Sequence, residues 1–467
     1  MTMSTRTYTR TITSEEPTDV LVVGSGPAGL AAAVAAARSG VSVRMIERFG
    51  FLGGNLTAGL VGPCMTSFSL DGETQLVRGV FDEFVRRMES IGAAVHPSHT
   101  KGGTPYAGFI RFGHDAVTPF EPEAAKRVAQ EMVLEAGVDL LLHTWAVDAV
   151  VEDGAVRGVV VANKSGMSFL PAEVVIDATG DGDIAALAGA EFTKGRESDG
   201  LMQPMTLFFR IGGVHDAEVE RYRGEHPDEL FPFQGIVERA QASGRYVLPR
   251  RGVQLFKTLE PGVWRINTTR VLGLDGTDAR DLTRGEIEAR RQVDVLMDFF
   301  HRELPGLQDC TLIDTAATVG VRETRRIAGE YELTLDDLVA GRHFDDVIAV
   351  AGYPVDIHSP SSTQGPFDDG IPPTANAYEI PYRSLVPLQV DGLLVTGRCI
   401  SATHEALAAV RVMPPSFAMG EAAGVAAAFA VGAGAPVRDA DVGLVQRELV
   451  SRGAYLGAPA DAVPATP

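Results

Sequence analysis

An unbroken apolar run at 20–23 opens the ordered pattern of the chain and predicts a short strand covered on both faces. Small apolar residues at 28–37 predict a helix, and a second buried strand follows at 41–46. Helices are expected at 80–91, with Phe81, Phe84, Val85 and Met88 on one face, and at 123–136. Between them, 96–114 is glycine-rich and reads as a surface loop or short hairpin. A buried strand is expected at 138–142. The alternation over 146–162, with a turn at Glu152-Asp153-Gly154, predicts a hairpin or meander. Another apolar strand begins at Glu173 and runs into Ala178-Thr179-Gly180 and the acids Asp181 and Asp183.

From about residue 201 the pattern changes. Strands are expected at 204–211, 263–268 and 311–316, and helices at 218–223, 236–242 and 284–304, the last ended by Pro305-Gly306. Residues 320–329 read as the start of a helix. A buried strand at 391–397 resumes the first pattern. Pro414 and Pro415 then sit where a helix begins, and Gly420, Ala423, Gly424 and Ala427 form a stripe of tiny residues that suits close packing on a strand or a flat ligand. The expected fold class is α/β: a Rossmann-type nucleotide-binding domain, with a parallel sheet, helices and a β-meander, carrying an inserted α+β substrate domain. The expected boundaries are 17–200 with 375–450 for the first domain and 201–374 for the second. A disordered tail is expected at 1–16 and a flexible one at 451–467.

Length and charge narrow the function. A chain of 467 residues is too long for one core. A formal charge of −20 disfavours nucleic acid or an anionic membrane face as partner. Cys64, Cys310 and Cys399 are distant and odd in number, so neither a disulfide framework nor a metal cluster is expected. The N-terminus lacks the apolar core of a signal peptide, and the apolar stretches at 30–37 and 422–435 are too short or too glycine-interrupted to span a bilayer, so a cytoplasmic enzyme is expected. A homo-oligomer stays open.

The chemistry starts at Gly24-Ser25-Gly26-Pro27-Ala28-Gly29, which fits G-x-G-x-x-G between strand and helix. The first glycine serves the tight turn, the second a close approach to pyrophosphate, the third helix–strand packing. Glu47, about 20 residues on, stands where a ribose diol is held. Gly53 and Gly54 allow chain to run beside a cofactor, or form an ordinary loop. Thr179 and Gly180 let backbone pass under a nucleotide. Asp181 and Asp183 suit cofactor hydroxyls or the cap of a helix at Ile184.

Together, 22–59, 174–183, 320–331, 353–358 and 381–424 resemble the FAD-dependent oxidoreductases of the glutathione-reductase-like Rossmann class. The resemblance implies bound FAD. Gly24, Gly26, Pro27, Ala28 and Gly29 would hold the pyrophosphate, and Glu47 and Arg48 the ribose end. Residues near Val147 would border the adenine, with Val147 itself in the implied cofactor set, and Gly397-Arg398 would meet the pyrophosphate or ribityl chain. The helix after Pro415, with Ser416 and Met419, would point at the isoalloxazine. Gly53, Gly54, Asn55, Thr179, Gly180 and Asp181 complete the implied cofactor set. Departures are also plain: the chain has a single G-x-G-x-x-G and no Cys-x-x-x-x-Cys pair, and Gly397-Arg398-Cys399 replaces the Gly-Asp-Ala loop of aromatic hydroxylases.

Hydride transfer to a flavin needs a base, a substrate anchor and a dry pocket. His404 is the first expectation for the base. On a helix over 401–411 it shares a face with Ala408 and Arg411, and Arg411 suits a carboxylate or carbonyl. The other reading of His404 is packing alone. Asp356 and His358 form a second acid–imidazole pair, on one side of a strand or in a loop between Pro354 and Pro360. Arg322, Arg325 and Arg326 make an anion anchor or an ion-paired interface helix. The expected function is oxidation of a small organic substrate by hydride transfer to flavin N5, with oxygen or another acceptor taking the electrons. The alternatives are a non-redox flavin isomerase or hydratase, and a flavin monooxygenase.

Overall fold

The computed structural model describes residues 7–250, 252–360 and 371–457. Strand β1 (Thr13–Ser14) already lies within the tail expected to be disordered: it pairs with Ser168 and Phe169, and Glu15 accepts from Ser168 Oγ at 2.8 Å. Residues 1–6 and 458–467 of the two expected tails lie outside the described residues.

Strand β2 (Thr18–Val23) is the centre of the first unit. Val20 and Val22 enter one core, Leu21 and Val23 another on the opposite face, as an unbroken apolar run requires. Helix α1 (Pro27–Arg38) leads to β3 (Val43–Ile46), parallel to β2. Helices α2 (Gly79–Ser90) and α3 (Pro122–Glu135) precede β4 (Asp139–Leu141), which extends the sheet in parallel beyond β3. Between α2 and α3 the glycine-rich stretch is irregular but not superficial: Ala107, Phe109, Ile110 and His114 are buried. The meander is β5 (Trp145–Glu152), β6 (Ala155–Asn163) and β7 (Gly166–Asp177), and β7 bends on to pair in parallel with β2.

Helix α4 (Asp183–Leu187) is capped by neither of the acids expected to cap it. Asp177 Oδ2 accepts from the backbone N–H groups of Ile184 and Ala185 at 2.9 and 3.0 Å. Asp177 ends the buried strand under the helix start, and burial pushes its carboxyl up to about 6.

The second core gathers Met205, Leu207, Phe209 and residues up to Val319, with Leu60 and Phe109 from the first unit. Strand β8 (Phe192–Lys194) precedes it. Its antiparallel sheet comprises β9 (Phe209–Gly212), β10 (Leu255–Lys257), β11 (Trp264–Ile266) and β12 (Thr311–Thr315), in the order β10-β11-β9-β12. Of the strand expected at 204–211, Met205 and Thr206 make isolated bridges only. Helices α5 (Asp216–Glu225), α6 (Gln234–Ala242) and α7 (Ala279–Glu303) cover it. Helix α7 starts earlier than expected because Asp278 caps it, accepting from the N–H groups of Arg280 and Asp281. The helix expected at 320–329 is absent: Gly320 bridges Thr206, and β13 (Arg325–Ile327) pairs with β8. Here tertiary partners override propensity: Arg322 donates to Pro204 O and Thr206, Arg325 to Asp183, and Arg326 to Gly195 O, all distant in the chain.

Helix α8 (Leu335–Ala340), β14 (Val347–Ala351) and β15 (Tyr378–Pro381) pack into the core of α1. The expected substrate region 201–374 therefore splits its packing between two cores. Strand β16 (Leu393–Val395) returns to β7 in parallel, completing an eight-stranded sheet among the described residues. Helices α9 (His404–Val410), α10 (Met413–Ala433) and α11 (Val442–Ser451) follow. The tiny stripe of α10 lies on α1 rather than on a strand or ligand: a Cβ at Gly420 would meet Ala28 O at 2.0 Å, and one at Gly424 would meet Ala32 O at 2.2 Å. Beginning at Met413 rather than 422, α10 is long and apolar enough to cross a membrane by length and composition alone; 72% of its most apolar window is buried in this core.

Candidate active site

A groove of about 1800 Å³ runs over the C-terminal ends of β2, β3 and β7, where open parallel sheets receive ligands. Gly24, at φ +96°, makes the turn; a Cβ there would meet Ala178 O at 2.7 Å. Gly26 caps α1 without a capping side chain or an acid in the first turn, so free N–H groups and the helix dipole meet the groove. A Cβ on Gly26 would touch nothing within 4 Å, leaving the cradle above it open to a phosphate. Gly54 runs close by: its Cβ would stand 2.8 Å from Gly26 Cα. Glu47, buried at the end of β3, accepts from Ser25 N and Oγ through Oε2 and from Phe49 N through Oε1. Arg48 lies over the rings of Phe49 and Trp145, at 5.0 and 5.4 Å.

At the far end, Gly397, Arg398, Met413 and Ser416 line the groove beside Thr179, Gly180 and Asp181. Arg398 donates to Asp181 Oδ1 at 2.8 Å and to Thr324 Oγ1 at 3.0 Å. The first turn of α10 carries no acid and no capping side chain. Two open helix N-termini, a glycine cradle and a buried carboxylate fit the pyrophosphate and ribose of a dinucleotide.

A second cavity lies beside this groove; Asn55, Val321, Arg398 and Arg411 border both. Ile110, Phe208, Phe231 and Phe256 make its walls apolar, and Arg322, Tyr353, Asp356, His358 and Arg411 make one polar end. His358 Nε2 lies 3.3 Å from Asp356 Oδ1, and Tyr353 donates to Asp356 Oδ2 at 3.2 Å. Arg411 Nη2 stands 3.7 Å from Asp356 Oδ2 and donates to Gln203 Oε1.

Residues 19–449 match the family model described as FAD dependent oxidoreductase. This chain belongs to the FAD-dependent oxidoreductase family. It is similar to thiamine thiazole synthase of Aeropyrum pernix, 32% identical over 247 residues, which are 50% of this chain and 76% of the relative. It is also similar to digeranylgeranylglycerophospholipid reductase of Methanoculleus marisnigri, 27% identical over 37% of this chain and 41% of that one. The solved structure of a geranylgeranyl bacteriochlorophyll reductase-like protein from Thermoplasma acidophilum aligns at 14% identity and TM-score 0.44, covering 94% of this chain and 84% of that one.

In this FAD-dependent oxidoreductase four residues expected at the cofactor do not line the groove. Gly29 packs α1 on the turn: its Cβ would meet Gly24 O at 1.8 Å. Gly53, at φ +110°, donates to Ser25 O and so holds the loop rather than the ligand. Val147 points outward and is 41% exposed; Thr144, Trp145 and Ala146 take that wall. Met419 is in the core of α10, and Met413, one turn and a half earlier, reaches the groove. Gly24, Gly26, Pro27, Ala28, Glu47, Arg48, Gly54 and Asn55 all line it.

The expected catalytic set also divides. Arg411, Asp356 and His358 meet in the second cavity. His404 is not among its lining residues: its Nδ1 is 2.9 Å from Glu323, a fully buried carboxylate that also takes Arg326. Arg325 turns the other way, to Asp183 at 2.8 Å and over the Phe192 ring. Arg322, expected as part of an anion anchor on a helix start, reaches the cavity because 320–327 runs extended, and Tyr353 is a polar lining residue given no role from sequence.

Electrostatics follow from burial. Burial, with Arg322 close by, pushes His358 well below the usual imidazole value, so the ring is neutral. Burial alone would raise Asp356, but His358, Arg411 and Arg322 outweigh it and hold the carboxyl below its usual range. Burial, then Asp356, raises the Tyr353 phenol, which stays protonated. Burial and the guanidiniums of Arg250 and Arg411 push Arg322 well below its usual value, which marks a cation short of counter-charge.

Proposed function

We propose that this chain oxidises a small organic molecule bound in the second cavity, with FAD, held by the glycine turn, Glu47 and the start of α10, supplying the acceptor for a hydride. The observation that carries the reading is adjacency: Asn55, Val321, Arg398 and Arg411 border the cofactor groove and the apolar cavity alike. A ligand in one therefore abuts a ligand in the other.

The chain's own residues then have defined tasks. Neutral His358 donates its Nε2–H to Asp356, which leaves the Nδ1 lone pair to take a proton from a substrate O–H or N–H. Asp356 fixes that tautomer and stabilises the imidazolium that results. Arg411 aligns the substrate's polar end, and the phenylalanine walls exclude water. The open N-terminus of α10 favours negative charge at the cofactor.

The test is anaerobic mixing of the FAD-loaded protein with alcohols, amines and saturated acids. Bleaching of the visible flavin band at a rate matching turnover supports the reading. A substrate that is turned over while the band never bleaches overturns it and favours an isomerase or hydratase.

A further inference from the structure

Resting on that reading of the cavity as the substrate site, we propose that the substrate class is a carboxylate with an apolar body, its carboxylate held between Arg322 and Arg411. The two guanidiniums border the same cavity as His358. Arg322 is buried and donates through Nη1 to two neutral acceptors, Pro204 O at 2.7 Å and Thr206 Oγ1 at 2.5 Å. Its other guanidinium nitrogens have no acceptor, and no carboxylate lies within ion-pair distance of it, among the described residues. Arg411 has Asp356, and Arg398 has Asp181. Set against one another, the cavity-lining charges leave one cation without an anion.

A buried charge left unpaired is costly, and a protein keeps one where a ligand completes the pair. Behind the wall Arg250 adds to the positive field: it is buried and its described bond is to the neutral amide of Gln254, at 2.9 Å. The rest of the lining selects for the body. Ile110, Phe208, Phe231 and Phe256 offer a hydrocarbon or aromatic moiety dispersion contacts and no hydrogen-bond partner. Guanidinium binds carboxylate bidentately, which orients the adjoining carbon as well as attracting the group. An anion there also offsets the field of Arg322 at His358, so substrate binding raises the proton affinity of the base.

The probe is benzoate, phenylacetate or hexanoate titrated into the FAD-loaded protein, read as perturbation of the oxidised flavin spectrum. Benzamide serves as the neutral counterpart of benzoate. Saturable perturbation by a carboxylate, at least about tenfold weaker with the amide, is expected from the strength of a charge-assisted pair. Arg322→Gln should weaken carboxylate binding about 10–100-fold and Arg322→Lys should recover part of it. Equal binding of benzoate and benzamide, no perturbation by any of the three acids, or undiminished benzoate binding in FAD-loaded Arg322→Gln overturns the proposal. If the variants fail to hold FAD, the wild-type acid–amide comparison decides alone. Carboxylates that bind while no compound bleaches the flavin support the anion site and sink the oxidation reading. Bleaching by neutral alcohols without carboxylate binding does the reverse.

Discussion

His358 faces Asp356 across 3.3 Å through Nε2, while Nδ1 of the same ring is buried with no partner among the described residues. One ring nitrogen is fixed and the other is left free, which is the arrangement a general base needs. His404 has the opposite arrangement, with Nδ1 tied to Glu323 outside the cavity lining. The two histidines should therefore separate on substitution. His358→Asn is expected to lower kcat by about 10²–10⁴-fold with FAD retained. His404→Asn should instead cost stability, about 1–3 kcal/mol for disturbing a hydrogen bond to a buried carboxylate that keeps Arg326 as its partner, with kcat little changed. Thermal melts and single-turnover kinetics on both variants check this. A His404 variant that keeps its melting temperature and loses turnover would return the base to α9.

Glu47 predicts a cofactor phenotype. Its carboxylate is buried and anchored by Ser25 and Phe49, so it does not swing to meet the ligand. Glu47→Gln keeps the shape and removes the charge that strengthens bonds from ribose hydroxyls. FAD affinity is expected to fall about 10–100-fold, and because the Gln amide must turn its NH2 toward Ser25 N–H or Phe49 N–H, the FAD-free protein should also lose about 1–3 kcal/mol of stability. Fluorescence titration of FAD into stripped protein measures it; equal affinity would mean that Glu47 only braces the glycine turn.

These two sites also show what sequence could reach. Gly24, Gly26 and Glu47 were legible because a local run of strand, turn, helix and strand fixes their positions through backbone geometry alone. So were Asp356 and His358, two residues apart. Arg322 was read as part of an anion anchor, but on one helix face with Arg325 and Arg326; its separate, inward position depends on 320–327 running extended between β8 and Thr206, partners more than 100 residues away. Val147 and Met419 lie off the groove for a smaller reason: one residue of strand, or half a turn of helix, reverses the face that a side chain presents. The cap of α4 failed because Asp177 lies inside the strand, where an acid reads as an interruption rather than as a cap.

The contact between α10 and α1, within one core, makes a prediction about the groove beside it. Gly420 lies on Ala28, in the first turn of α1, which opens onto the groove. Gly420→Ala must push the helices apart, at a cost of about 1–3 kcal/mol or more, and shift the mouth of the groove. Gly432, in the same helix, is exposed and its Cβ would meet nothing within 4 Å. Gly432→Ala is expected to be neutral or to stabilise by up to about 1 kcal/mol through helix propensity. Chemical denaturation and FAD content of the two variants test the contrast. Equal effects would mean that the close packing is not what the stripe is for.

Glu421, on the same helix, predicts a pH dependence with a definite sign. Its Oε2 accepts from Val80 N at 3.0 Å at the start of α2, and it is 3% exposed. Burial pushes the carboxyl up to about 7, against that bond and the nearby Arg452 and Arg38, with Glu83 adding to the rise. The native chain thus keeps a proton that the unfolded chain releases near 4.5. Its contribution to stability is full below 4.5 and is lost as pH rises through about 7. Above that the ionised group costs about 3 kcal/mol, the free energy of holding the proton across that interval of pH. Glu421→Gln copies the protonated form. Its stability should match the wild type near pH 4 and exceed it near pH 8 by up to about that amount. Urea denaturation of both proteins across this range measures the difference, in which the background charge of the chain cancels. Parallel stability curves would mean that Glu421 is ionised or solvated in the native state.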